Sequence, residues 1–273
     1  MQLILDNLST ILALATTGVF AGLLAGLLGV GGGIVIVPVL YFLFQGFGVS
    51  PASAMLIATA TSLATIIPTS LSSIRAHRQK GNVDFELLKF WAGFILLGVL
   101  LGSALVTLMG GQWLSSVFGV VACLSALNML FRTGKAALVD TLPGATGQSI
   151  MATCIGFFSA MVGIGGGTLS VPILTSCNYP AHKAVGTAAA IGLLISVPAA
   201  FTMLVFGTTP ADAPALTFGL VNIIGFVCIV PLTVLFAPLG AKLAASMDAN
   251  KLKKVFAVVL LITGGRMLLQ SLL

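Results

Sequence analysis

Apolar segments follow one another along nearly the whole chain, and this most limits what it can fold into. They run roughly over 8–28, 33–47, 52–74, 85–109 and 113–131, then 149–163, 167–178, 183–206, 215–245 and 250–272. About 20 apolar residues cross a hydrocarbon layer of about 30 Å as a helix. Lipid offers backbone N–H and C=O groups no partners, so only helices and closed barrels can span it. These segments lack the alternation of a barrel strand, and the sequence predicts an all-α polytopic membrane protein. Only 7% of its 273 residues are charged, against about 25% in an ordinary soluble domain.

The chain repeats itself. GLLGVGGGIVIVPVL, from Gly26 to Leu40, returns as AMVGIGGGTLSVPIL, from Ala160 to Leu174, so that Gly29, Gly31, Gly32, Gly33 and Pro38 are matched by Gly163, Gly165, Gly166, Gly167 and Pro172. Near the end of each half, LGSALVTLMGGQWLSSVFGVV is matched by LGAKLAASMDANKLKKVFAVV. We read a duplication: an N-terminal membrane repeat over 1–132, a cytoplasmic linker over 133–148 and a C-terminal membrane repeat over 149–273, with five segments in each.

The basic residues set the topology. Arg75, Arg78, Lys80 and Lys89 flank the third loop, Arg132 and Lys135 begin the linker, Lys183 precedes an apolar segment, and Lys251, Lys253 and Lys254 fill the last loop. An odd number of crossings per half places all of these on one face, the cytoplasmic one, and makes the two repeats inverted, as in many secondary transporters. Arg266 alone does not fit. The second segment of each half is short for a crossing, which favours a hairpin that dips in and returns to the same side. The N-terminus has an apolar run but no basic residues before it, so it reads as part of the mature protein rather than as a signal peptide.

Two glycine breaks at matched positions invite a functional reading. The first N–H groups of a helix lack internal partners and carry partial positive charge, and glycines allow an anion to approach them. Pro38 and Pro172 each leave the carbonyl four residues earlier, on Ile34 and Thr168, without its helical donor. The plainer alternative is that the glycines only let helices pack closely. Thr61, Thr65 and Ser72, with Ser62 and Thr69 beside them, fall near one helical face that could line an aqueous path or simply bond within the bundle.

Every Asp and Glu lies in a loop or at a helix end, which argues against a carboxylate relay and for an anionic or neutral solute. His77 and His182 fall in expected cytoplasmic loops. Cys123, Cys154, Cys177 and Cys228 read as small buried hydrophobes, and no metal site, cofactor or nucleic-acid partner is implied. GVGGGI has neither the third glycine of a dinucleotide fingerprint nor the Lys-Ser/Thr of a phosphate loop, and HExxH and GxSxG do not occur. No enzyme is expected.

The paired GxGGGxxxxP elements at Gly29–Pro38 and Gly163–Pro172, ATATSL at Ala58–Leu63 and RAHRQKGNVD at Arg75–Asp84 resemble the TauE/SafE family of sulfite and organosulfonate exporters. The resemblance implies a multi-pass permease of the prokaryotic cytoplasmic membrane that moves a small sulfur-containing anion, usually outward. Its partners would be that anion and the bilayer, with homo-oligomerisation left open. We therefore expect Gly31, Gly32, Gly33, Gly165, Gly166 and Gly167, with Thr59, Ser62 and Thr187, to form a central anion site. Uptake of an anion such as thiosulfate, or a non-transporting scaffold or sensor, are the alternatives.

Overall fold

The computed structural model describes residues 2–29, 31–109, 111–131, 139–243 and 249–272. Their helices are α1 (Gln2–Leu28), α2 (Gly33–Gly46), α3 (Pro51–Arg78), α4 (Phe85–Met109), α5 (Gln112–Phe131), α6 (Ala145–Val162), α7 (Gly167–Ser176), α8 (Ala181–Val205), α9 (Ile223–Leu243) and α10 (Ala249–Leu272). A two-residue hairpin, β1 (Thr217–Phe218) and β2 (Val221–Asn222), precedes α9. Among the described residues six helices, α3, α4, α5, α6, α8 and α9, are long and apolar enough to cross a membrane. Large apolar side chains such as Leu97, Leu101, Leu124, Phe201, Leu235 and Ile262 are exposed, while Thr59, Thr61, Ser62, Thr65 and Thr69 are buried. An apolar exterior over a hydroxyl-bearing interior suits a lipid solvent.

Glycines set how closely the helices approach. α1 runs parallel to α9, with Gly18 against Ile229, Gly22 against Thr233 and Gly26 against Ala237. α4 runs parallel to α6, with Gly98 on Thr153 and Gly102 on Phe157. Small residues at such spacing bring backbones together where lipid supplies no hydrophobic drive. α5 and α10 pack antiparallel, Gly119 on Leu268 and Ser116 Oγ bonded to Ser271 Oγ at 2.9 Å. α3 and α8 are also antiparallel, since Ser70 meets Gly192 while Asn82, beyond the end of α3, meets Gly186.

Each half carries one long-short hairpin. α1 brings Gly26 to the end of α3, where the Gly26 carbonyl lies 3.1 Å from His77 Nε2. The chain then turns back, and α2 starts beside Ile66, near the middle of α3. At 14 and 10 residues, α2 and α7 are about 21 and about 15 Å long, short of a full crossing. α6 starts four residues earlier than the sequence suggested, at Ala145, where Gln148 accepts from Trp91 Nε1.

Lys80 Nζ donates to the Ala241 carbonyl at the end of α9, so the cations of the α3–α4 loop and Lys242 share one end of the bundle. Arg266 is near the other end, where its guanidinium stacks on Phe42, 4.5 Å from the ring centroid. That cation-π contact accounts for a charge the topology argument left over. Residues 132–138 and 244–248, among them Arg132 and Lys135 at the start of the expected linker, lie outside the described residues.

Candidate functional site

The two glycine breaks meet. A Cβ on Gly31 would be 3.4 Å from Gly165 Cα, and one on Gly33 would be 2.5 Å from the Gly163 carbonyl. Gly29, Gly31, Gly32 and Gly163 all have left-handed φ, between 65° and 78°, which only glycine adopts without strain. Gly31–Gly33 and Gly165–Gly167 are buried, and a side chain on Gly32 or Gly166 would run into Ala21 or into Ile191 and Gly192. The crossing is packed backbone against backbone, so these glycines serve close approach. One open groove of about 430 Å³ lies elsewhere, at the basic end, lined in part by Asp84, Phe90, Gln148 and Tyr179.

What the crossing does present is hydroxyls. Intramembrane Ser and Thr normally bond back to a carbonyl of their own helix, as Thr69 does to Thr65, Ser103 to Val99 and Thr153 to Ser149. The hydroxyls of Thr59, Ser70, Ser159 and Thr168 are buried without a partner among the described residues. Thr59 packs on Gly163, one turn beyond Ser159, and Ser70 Oγ is 3.0 Å from the place of a Gly192 Cβ, which also meets Gly166, two residues before Thr168. An unpaired buried hydroxyl costs about 1–3 kcal/mol, so four of them call for an explanation; Thr59 and Ser70, three turns and about 16 Å apart on α3, flank the crossing on its two sides.

Thr59 and Ser70 belong to one stripe of α3, whereas Ser159 is on α6 and Thr168 on α7. Thr59, Ser62, Ile66, Ser70, Ser73 and His77 recur at helical spacing and are all buried. Ser62 Oγ donates to the Gly163 carbonyl at 2.7 Å, Ser73 Oγ reaches the Ala25 carbonyl at 3.5 Å and His77 reaches that of Gly26. The stripe thus satisfies carbonyls at the C-terminal ends of α1 and α6, whose partial charge is negative, while α2 and α7 begin at Gly32 and Gly166 caps that make no side-chain bond to their positive N-terminal ends. At its centre Ile66 lies against Gly31 and Gly33, and Ile191 lies against Gly166.

Of the residues chosen from sequence, Thr59, Ser62 and both glycine runs come together here. Thr187 does not: its hydroxyl accepts from the Asp84 N–H at 2.9 Å at the basic end. The face first suspected of lining a path instead packs on α9. Thr61 accepts from Asn222 N–H, Thr69 bonds to Thr233, and Ser72 donates to the Val234 carbonyl. His77 corrects the sequence reading, since it is not in a solvated loop but in the last turn of α3, 3% exposed. Cys154 is likewise exposed rather than buried. Ser70, Ser159 and Thr168 were not picked out, although the 3-4 spacing of Thr59, Ser62, Ser70 and Ser73 contained a signal for the first of them.

At the two ends, carboxylates tie loops together. Asp84 caps α4 by accepting from the Glu86 and Leu87 N–H groups and accepts the Tyr179 phenol, which with those backbone N–H groups holds its carboxyl below the usual range. Burial and the adjoining Asp84 raise the Tyr179 phenol. At the other end Asp212 accepts the Ser50 N–H at 2.8 Å. The Ser53 hydroxyl and that N–H lower its carboxyl to about 2.

A buried polar crossing inside an apolar shell suits a membrane-spanning protein, and comparison with known proteins gives its family. The chain matches the family described as Sulfite exporter TauE/SafE over residues 14–267. It belongs to that family. A "Probable membrane transporter protein" of Haemophilus influenzae is 29% identical over 95% of this chain and 98% of its own length. Proteins named in the same way from Methanocaldococcus jannaschii and Bacillus subtilis are each 26% identical, covering 94% and 95% of this chain and 94% and 97% of their own. No solved structure matches. Family and relatives make this TauE/SafE chain a multi-pass membrane permease.

Proposed function

We propose that the protein moves a small sulfur-containing anion, such as sulfite or an organosulfonate, outward across the cytoplasmic membrane by alternating access. The observation that carries this reading is the set of four buried, unpartnered hydroxyls at the meeting of two glycine-broken helices. Hydroxyls without acceptors, beside two helix N-termini whose caps make no side-chain bond, offer an oxyanion what water offered it. The glycines let the backbones close around that position. Ile66 and Ile191 pack against the two glycine breaks, between the two sides of the crossing.

The helix directions support an inverted repeat. α1 pairs with α9 as α6 pairs with α4, both parallel, while α3 with α8 and α5 with α10 run antiparallel. Exchange of the halves maps this pattern onto itself with direction reversed, as alternating access by rocking of one repeat on the other needs. The test is a thermal-shift screen of detergent-solubilised protein with sulfite, sulfate, thiosulfate, sulfoacetate and taurine, because ligand binding raises apparent stability by mass action. Flux in vesicles follows for any ligand found. Protein that binds and moves none of them would refute the reading, and inward-only flux would reverse its direction.

A further inference from the structure

We infer that His77 is the residue through which this permease couples proton movement to anion movement. The inference rests on the anion-permease reading and adds to it a coupling: a proton gradient directed into the cell opposes the outward step, so coupled export runs only where the outward anion gradient exceeds it. Among the buried side chains of the described residues, His77 is the one that ordinarily titrates between pH 5 and 8. It closes the polar stripe of α3 at the basic end and is 3% exposed.

The geometry fixes its protonation state here. A carbonyl only accepts, so the Gly26 carbonyl, 3.1 Å from Nε2, requires the proton on that nitrogen. Among the described residues Nδ1 is buried with no partner. A proton added at Nδ1 would create a buried cation whose new N–H meets no acceptor. The charges around it oppose it further. Arg75 and Arg78 share its helix, Lys80 follows in the loop and bonds to Ala241, and Lys242 comes next on α9. His182 and Lys183 stand on the first turn of α8, and α1 brings no ionisable group between residues 11 and 27. The carboxylate in the same loop, Asp84, is committed to Tyr179 and to capping α4.

This arrangement therefore belongs to neutral His77. Protonation calls either for movement of the α1 end or for an anion that brings the missing acceptor and countercharge. The first would be felt at the site, because Gly26 lies three residues before Gly29, where the first glycine break begins. The second means that proton and anion load together at the basic end. In both cases protonation and conformation share one free energy, and the proton travels with the anion.

The test uses the full chain reconstituted in phosphatidylethanolamine and phosphatidylglycerol vesicles with methanesulfonate, whose charge is constant across this pH range. Anion exchange with equal pH on both sides reports permeation alone, and accumulation under an imposed pH gradient reports coupling. Wild type is expected to do both, and His77→Gln, whose amide can still donate to Gly26, to keep exchange and lose accumulation. Accumulation that survives in His77→Gln, or wild type that exchanges without responding to the gradient, overturns the inference. Wild type that exchanges nothing sinks the permease reading instead. Should His77→Gln lose exchange too, the His77 titration followed by ¹⁵N NMR in His182→Gln protein decides. Methanesulfonate is expected to move its midpoint upward, and an unmoved midpoint rejects coupling.

Discussion

Removing an unpartnered hydroxyl should make this protein more stable and less active. Thr59→Val and Thr168→Val keep the side-chain shape, and Ser70→Ala and Ser159→Ala remove one oxygen, from sites where that oxygen bonds to nothing among the described residues. The empty protein bears a desolvation cost of about 1–3 kcal/mol for each such group. Thr59→Val should therefore raise the thermal midpoint of ligand-free protein by about 2–4 °C per kcal/mol, the scale for a chain of this size. A hydrogen bond to a charged ligand contributes about 1.5–3 kcal/mol, so the same change should weaken anion binding roughly tenfold to a hundredfold. Ser62→Ala is the control with opposite sign. Its hydroxyl bonds to the Gly163 carbonyl at 2.7 Å, and its loss leaves that carbonyl buried and unpaired. The assay pairs midpoints with and without sulfite against flux in vesicles. Destabilisation by Thr59→Val with flux intact would show the hydroxyl to be structural and would refute the reasoning.

Gly26→Val should abolish assembly rather than turnover, because its Cβ would collide with the Ala237 carbonyl where α1 crosses α9; correctly sized, monodisperse protein after detergent extraction would contradict this. The Asp212 carboxyl falls from 3.8 to about 2 on folding, so its contribution is present above its unfolded value and lost as pH drops from about 4 to about 2. The midpoint difference between wild type and Asp212→Asn should accordingly shrink across that window, and a constant difference would disprove it. A dianion should compete poorly at the crossing, since desolvation grows with the square of the charge while the Thr59, Ser70, Ser159 and Thr168 hydroxyls bring no formal cation. Sulfate that displaces methanesulfonate as well as hydrogensulfite does would count against it.

The helices were legible because apolarity and glycine placement fix them. The segment expected at 33–47 is α2 at Gly33–Gly46, and that expected at 113–131 is α5 at Gln112–Phe131. The segment expected at 215–245 instead begins with a hairpin, which the apolar Leu216 and Phe218 concealed in the sequence. Its real signal was Asn222, whose Oδ1 caps α9 by accepting the Gly225 N–H. The site was half legible. Two sets of hydroxyls in α3, Thr61–Thr65–Ser72 and Thr59–Ser62–Ser70–Ser73, both follow helical spacing, and only the position of α9 tells which faces a neighbour. His77 was misplaced because RAHRQK reads as a charged loop, whereas α3 continues through Arg78 with the imidazole turned inward.

The frame is repeated while the chemistry is not. Thr187 of α8 accepts the N–H of Asp84, which caps α4, and Thr61 of α3 accepts the N–H of Asn222, which caps α9, both at 2.9 Å. These equivalent clasps join each long central helix to the start of a crossing helix in the other pair. Between them α8 buries Ala188, Ala189 and Ala190, and α3 carries hydroxyls instead. On the proposed reading this inequality is useful. Two equivalent hydroxyl stripes would make two sites, each able to hold the anion while the other faced the opposite side. With one stripe on α3 and a smooth, small-residue surface on α8, rocking the halves presents the same few hydroxyls first to one end and then to the other. The alanines of α8 are then the surface on which the repeats slide, so bulk added at Ala189 should slow exchange while leaving anion affinity, set by the Thr59, Ser70, Ser159 and Thr168 hydroxyls, unchanged.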